Sequence, residues 1–111
     1  MESLIAELCE GITLNRWYSI NEYHLNVYIR ITKRYFNGIF YNTLEVANIK
    51  VDEEYQHKGY FSAFLNELEN LANSYNRILY VESVINPILK KYLRKRKYKI
   101  DERETSCFYK G

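Results

Sequence analysis

The sequence predicts a single α/β domain built on a mixed sheet with helices on both faces. Apolar residues alternate at period two on either side of Asn37-Gly38, the pattern of a β-hairpin. They switch to helical spacing at 60–74 and again at 87–97, with the short apolar run ILYVESV (78–84) between. A strand, a helix and a second strand in that order need a crossover, and a crossover makes the two strands parallel. The 111 residues suit one core and not two, so 1–111 is read as one domain.

The elements follow in chain order. Residues 3–10 read as a short helix with Leu4, Ile5 and Leu8 on one face, Ser3 as cap and Gly11 as terminator. Residues 12–23 show no clear period, and Trp17 and Tyr18 read as anchors of a loop or a further helical turn. From His24, Leu25, Val27, Ile29 and Ile31 alternate with Asn26, Tyr28, Arg30 and Thr32. Asn37-Gly38 tolerates the positive φ angles of a type I′ turn. A two-residue turn then sets Ile31 opposite Leu44 and Arg30 opposite Glu45 on a return strand from Ile39 to Val51. In the 60–74 helix, Phe61, Phe64, Leu65, Leu68, Leu71 and Ala72 make the apolar stripe; in the next helix Ile88, Leu89, Tyr92 and Leu93 do. Pro87 suits the first turn of that second helix, capped by Asn86. The tail KIDERETSCFYK adds one or two strands.

Composition narrows the function classes. Apolar residues make up 47% and there are 12 Tyr, which is globular and not disordered. A net charge of +2 does not call for a nucleic acid. Cys9 and Cys107 are too few for a disulfide framework, and no Cys/His spacing suits zinc. The acidic start MESLIAELCEG is not a signal peptide, and no apolar run reaches membrane-spanning length. The expectation is a cytoplasmic protein, monomer or homodimer, with no membrane partner and no metal.

The stretch VDEEYQHKGYF (51–61) joins the return strand to the 60–74 helix. Helix N-termini expose unpaired amides and attract phosphate; Gly59 lets backbone approach an anion, and Lys58 adds a cation. By spacing alone, the favoured reading is that Gly59 merely eases a tight turn, because one glycine is a weak motif.

This stretch resembles the pyrophosphate loop of the GNAT superfamily of acyl-CoA N-acyltransferases. There a terminal strand valine is followed five residues on by a Q/R-x-x-G-x-G/A motif, and Val51, Gln56 and Gly59 match. Asn86 matches the family's downstream Asn, and Tyr98 stands twelve residues after it, at the aromatic of the family's Gly-Phe. The resemblance covers about residues 40–100, and the compact form looks like small bacteriophage acetyltransferase-like proteins. Four positions depart from it. His57 stands where Gly is common, Phe61 where Gly or Ala is common, Leu93 where many members carry Tyr, and Lys97 where Gly is usual.

The resemblance implies a compact GNAT-like fold and transfer of an acetyl group from acetyl-CoA to a primary amine of a protein or small molecule. It implies that the backbone of Ile49, Lys50 and Val51 holds the pantetheine arm. It implies that Gln56, His57, Lys58, Gly59, Tyr60 and Phe61 hold the pyrophosphate, with Asn86 also at the cofactor. Histone-type members carry a catalytic Glu six residues before the strand's last valine, which is Glu45 here. A carboxylate partly removed from water has a raised pKa and is a better base, and a cross-strand ion pair with Arg30 accounts for Glu45 equally. Tyr92, beside Leu93, is the candidate acid toward the leaving thiolate, and also fits a core stripe. Tyr80 and Glu82 are further residues able to line the cleft, and Cys107 reads as a buried small residue.

The run KKYLRKRKYK (90–99) holds seven Lys/Arg. It reads as a solvated helix face. The alternative is a catalytically silent domain that binds a protein or nucleic acid through this helix.

Overall fold

The computed structural model describes residues 1–51, 53–55, 58–82, 84 and 87–111. The expectations placed on Gln56, His57 and Asn86 lie outside the described residues.

Helix α1 (Glu2–Glu10) buries Leu4 and Leu8 and ends at Gly11, whose φ of 70° is left-handed. Ser3 lies inside this helix and does not cap it; Met1 is the N-cap, without a side-chain bond. Residues 14–20, which show no period in the sequence, form strand β1 (Leu14–Ile20). Tyr18 and Ile20 point inward, and Trp17 points outward against the edge of Tyr28. The pattern was hidden because Arg16 takes an inward position of an edge strand. There it lies over the Tyr18 ring at 4.2 Å and pairs with Glu7 at 3.0 Å.

A single 3₁₀ turn (Asn21–Tyr23) ends at His24, whose φ is 53°, and leads into β2 (Leu25–Phe36) and β3 (Ile39–Val51). The hairpin turns at Asn37 and Gly38, with φ of 53° and 80°, as the dipeptide predicts. Ile31 stands opposite Leu44 and Arg30 opposite Glu45. Farther from the turn the register changes: Ile29 pairs with Val46, but Tyr28 pairs with Asn48. Ala47 is thus the extra residue of a β-bulge. One inserted residue exchanges the faces beyond it. Leu44, Val46, Ile49 and Val51 therefore share one face, and Glu45 lies on the other. Unbroken alternation would put Glu45 on the face of Ile49 and Val51, and the bulge reverses this.

Helix α2 (Tyr60–Ser74), strand β4 (Ile78–Val81), helix α3 (Pro87–Lys95) and strands β5 (Lys99–Ile100) and β6 (Phe108–Lys110) complete the chain. The sheet order is β1-β2-β3-β4-β6-β5. The β3–β4 pairing is parallel, as the crossover requires, and the others are antiparallel.

Helices were expected on both faces of the sheet. Instead, the side chains buried by α1, α2 and α3 all join one core. Leu4, Leu8, Phe64, Leu65, Leu68, Ala72 and Leu93 pack with Val27, Ile29, Ile31, Leu44, Val46, Leu79 and Val81, which share one sheet face. The opposite face carries a smaller cluster of Phe36, Tyr80 and Cys107, and a set of charged side chains described below. On α3, Leu93 is buried and Leu89 and Tyr92 pack against the main core, but Ile88 stays 80% exposed and outside the stripe assigned to it. Lys91, Arg94 and Lys95 face solvent, while Arg96 folds back onto Glu69 at 2.8 Å. Among the described residues no helix is long and apolar enough to cross a membrane.

Candidate functional site

The parallel pair β3–β4 is short. Among the described residues it runs over Thr43–Val46 and Ile78–Val81, and the Glu82 amide adds a further bond to the Val46 carbonyl at 2.9 Å. The chain then leaves β3: the Val84 amide donates to the Ser106 carbonyl at 2.7 Å, while β3 continues to Val51. Beyond this parting a groove lies between the end of β3, the start of α2 and α3. The groove holds about 530 Å³ and is lined by Ile49 and Val51 of β3, Tyr55, Lys58 to Ser62, and Ile88, Leu89 and Tyr92 of α3.

One end of this groove is the start of α2. Gly59 is the N-cap, with a φ of 81°, and no side chain caps the helix. The first intrahelical bond runs from the Ala63 amide to the Gly59 carbonyl at 3.1 Å, so the amides of Tyr60, Phe61 and Ser62 precede the helical ladder. The first turn holds no acidic residue, and Lys58 is exposed beside it. A Cβ placed on Gly59 meets nothing within 4 Å, which leaves the backbone open on that side. Partial positive charge, amides that precede the helical ladder, a nearby cation and an approachable backbone together favour an anion.

Of the described cofactor residues named from sequence, Ile49, Val51, Lys58, Gly59, Tyr60 and Phe61 all line this one groove, as does Tyr92. Lys50 does not. Beyond the bulge it points to the opposite face, where its ammonium lies 5.2 Å over the Trp17 ring. Phe61 packs partly on the core and stands 6.1 Å from the Tyr92 ring, so it forms a wall of the groove. The Tyr92 hydroxyl donates to Ser62 Oγ at 2.7 Å, tying α3 to the first turn of α2. Sequence reading missed Ser62, Tyr55 and the packing beneath them. His24 stacks on Tyr55 at 3.7 Å with its plane within 4°, and meets the edge of Tyr60. Nothing in the sequence signals a contact between residues so far apart in the chain.

Behind the point where the strands part, on the face away from the helices, lie two carboxylates. Glu45 is 1% exposed. Arg34 grips it with two bonds of 3.0 Å, and the Thr43 hydroxyl donates to it at 2.7 Å. Arg30, its cross-strand neighbour, stands at 3.9 Å. Glu82 is 15% exposed, receives two bonds from Arg30 at 2.7 and 2.8 Å, and is also bonded by Arg34. Burial alone would raise the Glu45 carboxyl, but the bonds from Arg34 and Thr43 and the Arg34 charge hold it below the ordinary carboxylate range. The raised pKa expected for Glu45 is thereby corrected. Glu82 goes the other way. Burial, and then the adjoining Glu45, outweigh Arg30 and Arg34 and push it up. Nearby, Tyr80 donates to Asp101 at 2.6 Å, and burial raises its phenol. Cys107 is buried, as its residue type suggests.

No family model matches the chain, and no curated protein does. Solved structures do match. One is a mutant AtaT toxin bound to the C-terminus of the antitoxin AtaR and acetyl-CoA, at 9% identity and a TM-score of 0.61 over 78% of this chain. The same toxin bound to the antitoxin C-terminus alone gives 10% identity and a TM-score of 0.63, again over 78%. A KacTA–DNA complex gives 11% identity and a TM-score of 0.62, over 99% of this chain and 79% of that one. This chain spans 57% of the length of the AtaT chains it matches. At these identities the likeness shows the fold, which is that of the GNAT acyl-CoA N-acyltransferases. None of the three supports the bacteriophage origin suggested by the compact size.

Proposed function

We propose that the protein is an N-acetyltransferase that moves the acetyl group of acetyl-CoA to a primary amine of a protein or small molecule. The observation that carries this reading is the groove. Six of the residues named for the cofactor converge on one cavity between the end of β3, the start of α2 and α3. One of the similar toxin structures holds acetyl-CoA.

In this reading the amides of Tyr60, Phe61 and Ser62, with Lys58, hold the diphosphate. The β3 edge around Ile49 and Val51 takes the pantetheine arm as an added strand. Leu89, Phe61 and Tyr92 keep water from the thioester, which supplies the activated acetyl group. Tyr92, which lines the groove, is in this reading the source of the proton for the departing thiolate. Tyr60 and Gly59 close the phosphate end.

Calorimetry and thermal shift with acetyl-CoA test the reading. Binding raises the melting temperature with ligand concentration, by mass action on the folded state. No heat and no shift at millimolar acetyl-CoA would remove it.

A second reading concerns partners. The solvent-facing Lys91, Arg94 and Lys95 give α3 a basic face, and a similar structure is a complex with DNA. That face offers a docking site for an acidic acceptor or a nucleic acid. Affinity for a short DNA duplex that falls steeply with salt would support it, and no affinity at low salt would discard it.

A further inference from the structure

We propose that Tyr55 is the stacking platform for the adenine of the acyl donor, so that the site selects acyl-CoA over the same thioester on a bare phosphopantetheine. This rests on the acetyl-transfer reading above and deepens it.

Three rings meet at the phosphate end of the groove. His24 lies flat on Tyr55, with 3.7 Å between centroids and 4° between planes. Tyr60 stands upright to both, at 74° to His24 and 76° to Tyr55. Its centroid is 4.7 Å from His24 and 5.7 Å from Tyr55, so it stands beside the imidazole, on the same side of the Tyr55 ring. Among the described residues, no ring covers the second face of Tyr55. Tyr55 is partly exposed and lines the groove together with Lys58, Gly59 and Tyr60. The Lys58 ammonium lies 5.9 Å over its ring. The imidazole fills the space over one face, so this cation marks the other.

The platform is held from behind. The His24 amide donates to the Asn21 carbonyl at 3.3 Å, and the φ of 53° at His24 turns the chain into β2. One residue earlier, the Tyr23 ring packs 5.9 Å from that of Phe64, and its hydroxyl donates to Glu67. Phe64 and Glu67 belong to α2, the helix whose first amides face the diphosphate. His24 is thus a positioning residue: it backs the Tyr55 ring at a fixed place relative to those amides. A ring ordered in advance loses little freedom when a ligand stacks on it.

The chemistry of the platform names the part of the ligand. An aromatic face beside a cation suits a base joined to phosphate, because stacking uses the π-face that every base has. CoA carries one base, adenine, joined through its ribose to the diphosphate. With the diphosphate at the amides of Tyr60, Phe61 and Ser62, the adenine falls within reach of Tyr55. Exposed Lys58 then swings from the ring to the phosphates. A phosphopantetheine without adenosine has nothing to lay on this face.

The test uses the full chain with acetyl-CoA and with S-acetyl-phosphopantetheine, which carries the same thioester and ends before the adenosine. In calorimetry, Tyr55→Ala should weaken acetyl-CoA binding by about tenfold to a hundredfold. It should leave the truncated donor bound as by the wild type, since that donor has no base to stack. Tyr55→Phe and Tyr55→Trp keep a platform and should hold acetyl-CoA within a fewfold of the wild type. In proton NMR, the adenine ring signals of bound CoA should lie upfield with the wild type, and Tyr55→Ala should remove that shift. Unchanged acetyl-CoA affinity in Tyr55→Ala, equal loss for both donors, equal loss in the Phe and Ala variants, or adenine signals indifferent to residue 55 would each overturn the proposal while leaving acetyl transfer standing. A wild type that does not bind acetyl-CoA would bring down the acetyl-transfer reading and this proposal together.

Discussion

Glu45 and Ile49 are four residues apart on one strand, yet their side chains lie on opposite faces of the sheet, because the bulge at Ala47 reverses the alternation between them. Ile49 lines the groove; Glu45 sits behind it in the grip of Arg34. The relation makes Glu45 a structural charge first. Glu45→Ala leaves Arg34 with Glu82 as its one remaining carboxylate among the described residues and should cost about 3 kcal/mol. Glu45→Gln keeps the shape and part of the bonding and should cost about 1–3 kcal/mol. Urea unfolding of both variants measures this, and wild-type stability in Glu45→Ala would show that the pair contributes nothing.

The same pair gives opposite pH dependences. Glu45 is depressed in the folded state, so its contribution is present above the ordinary carboxylate range and is lost as pH falls through its lowered value. Glu69 behaves alike. Burial would raise it, but the bonds from Arg96 and Tyr98 hold it low. Glu82 is raised, so its contribution is full below the ordinary range and is lost as pH rises through its elevated value. The wild type's advantage over Glu45→Gln should therefore shrink on acidification, and its advantage over Glu82→Gln should shrink toward alkaline pH. Urea midpoints across the acid-to-neutral range read both slopes, and parallel curves for the two variants would contradict the assignment.

Lys97 is held at a φ of 71°. The Tyr98 amide reaches back to the Leu93 carbonyl at 3.0 Å, and the Lys97 amide to the Arg94 carbonyl at 3.0 Å, the paired bonds of a Schellman ending to α3. A β-carbon in that conformation costs about 1 kcal/mol. Lys97→Gly should gain that amount and raise the melting temperature by roughly 4–8 °C. Gly59→Ala, at a φ of 81° with open space around the new methyl, should lose about as much through backbone strain alone. A melting scan of the two variants checks both signs.

Much of the fold was legible because it rests on local rules. Asn37-Gly38 set the turn, the turn set the register, and the strand–helix–strand order set the parallel pairing. The groove residues were legible because Val51 and Gly59 keep a recognisable spacing. Three things were not. β1 was hidden by Arg16, an inward position filled by a charge at a sheet edge. The bulge leaves no local signature at Ala47, and it alone moved Glu45 and Lys50 to the far face. The Arg34–Glu45–Glu82 cluster joins three strands, and its protonation depends on which carboxylate each guanidinium reaches.

Tyr92 carries the last prediction. Its hydroxyl donates to Ser62 Oγ at 2.7 Å and receives a bond from Arg96 at 3.3 Å, so it is both a tie between helices and the proposed acid. The two roles separate by variant. Tyr92→Phe and Ser62→Ala break the same tie, and each should cost about 1 kcal/mol in urea unfolding. Only Tyr92→Phe removes the proton that the thiolate would take. It should lower kcat by roughly a hundredfold, with acetyl-CoA affinity by calorimetry changed by no more than the loss of the tie allows. If the two variants lose the same rate, the phenol acts by holding α3 in place, and the leaving thiolate is protonated by another group or by water.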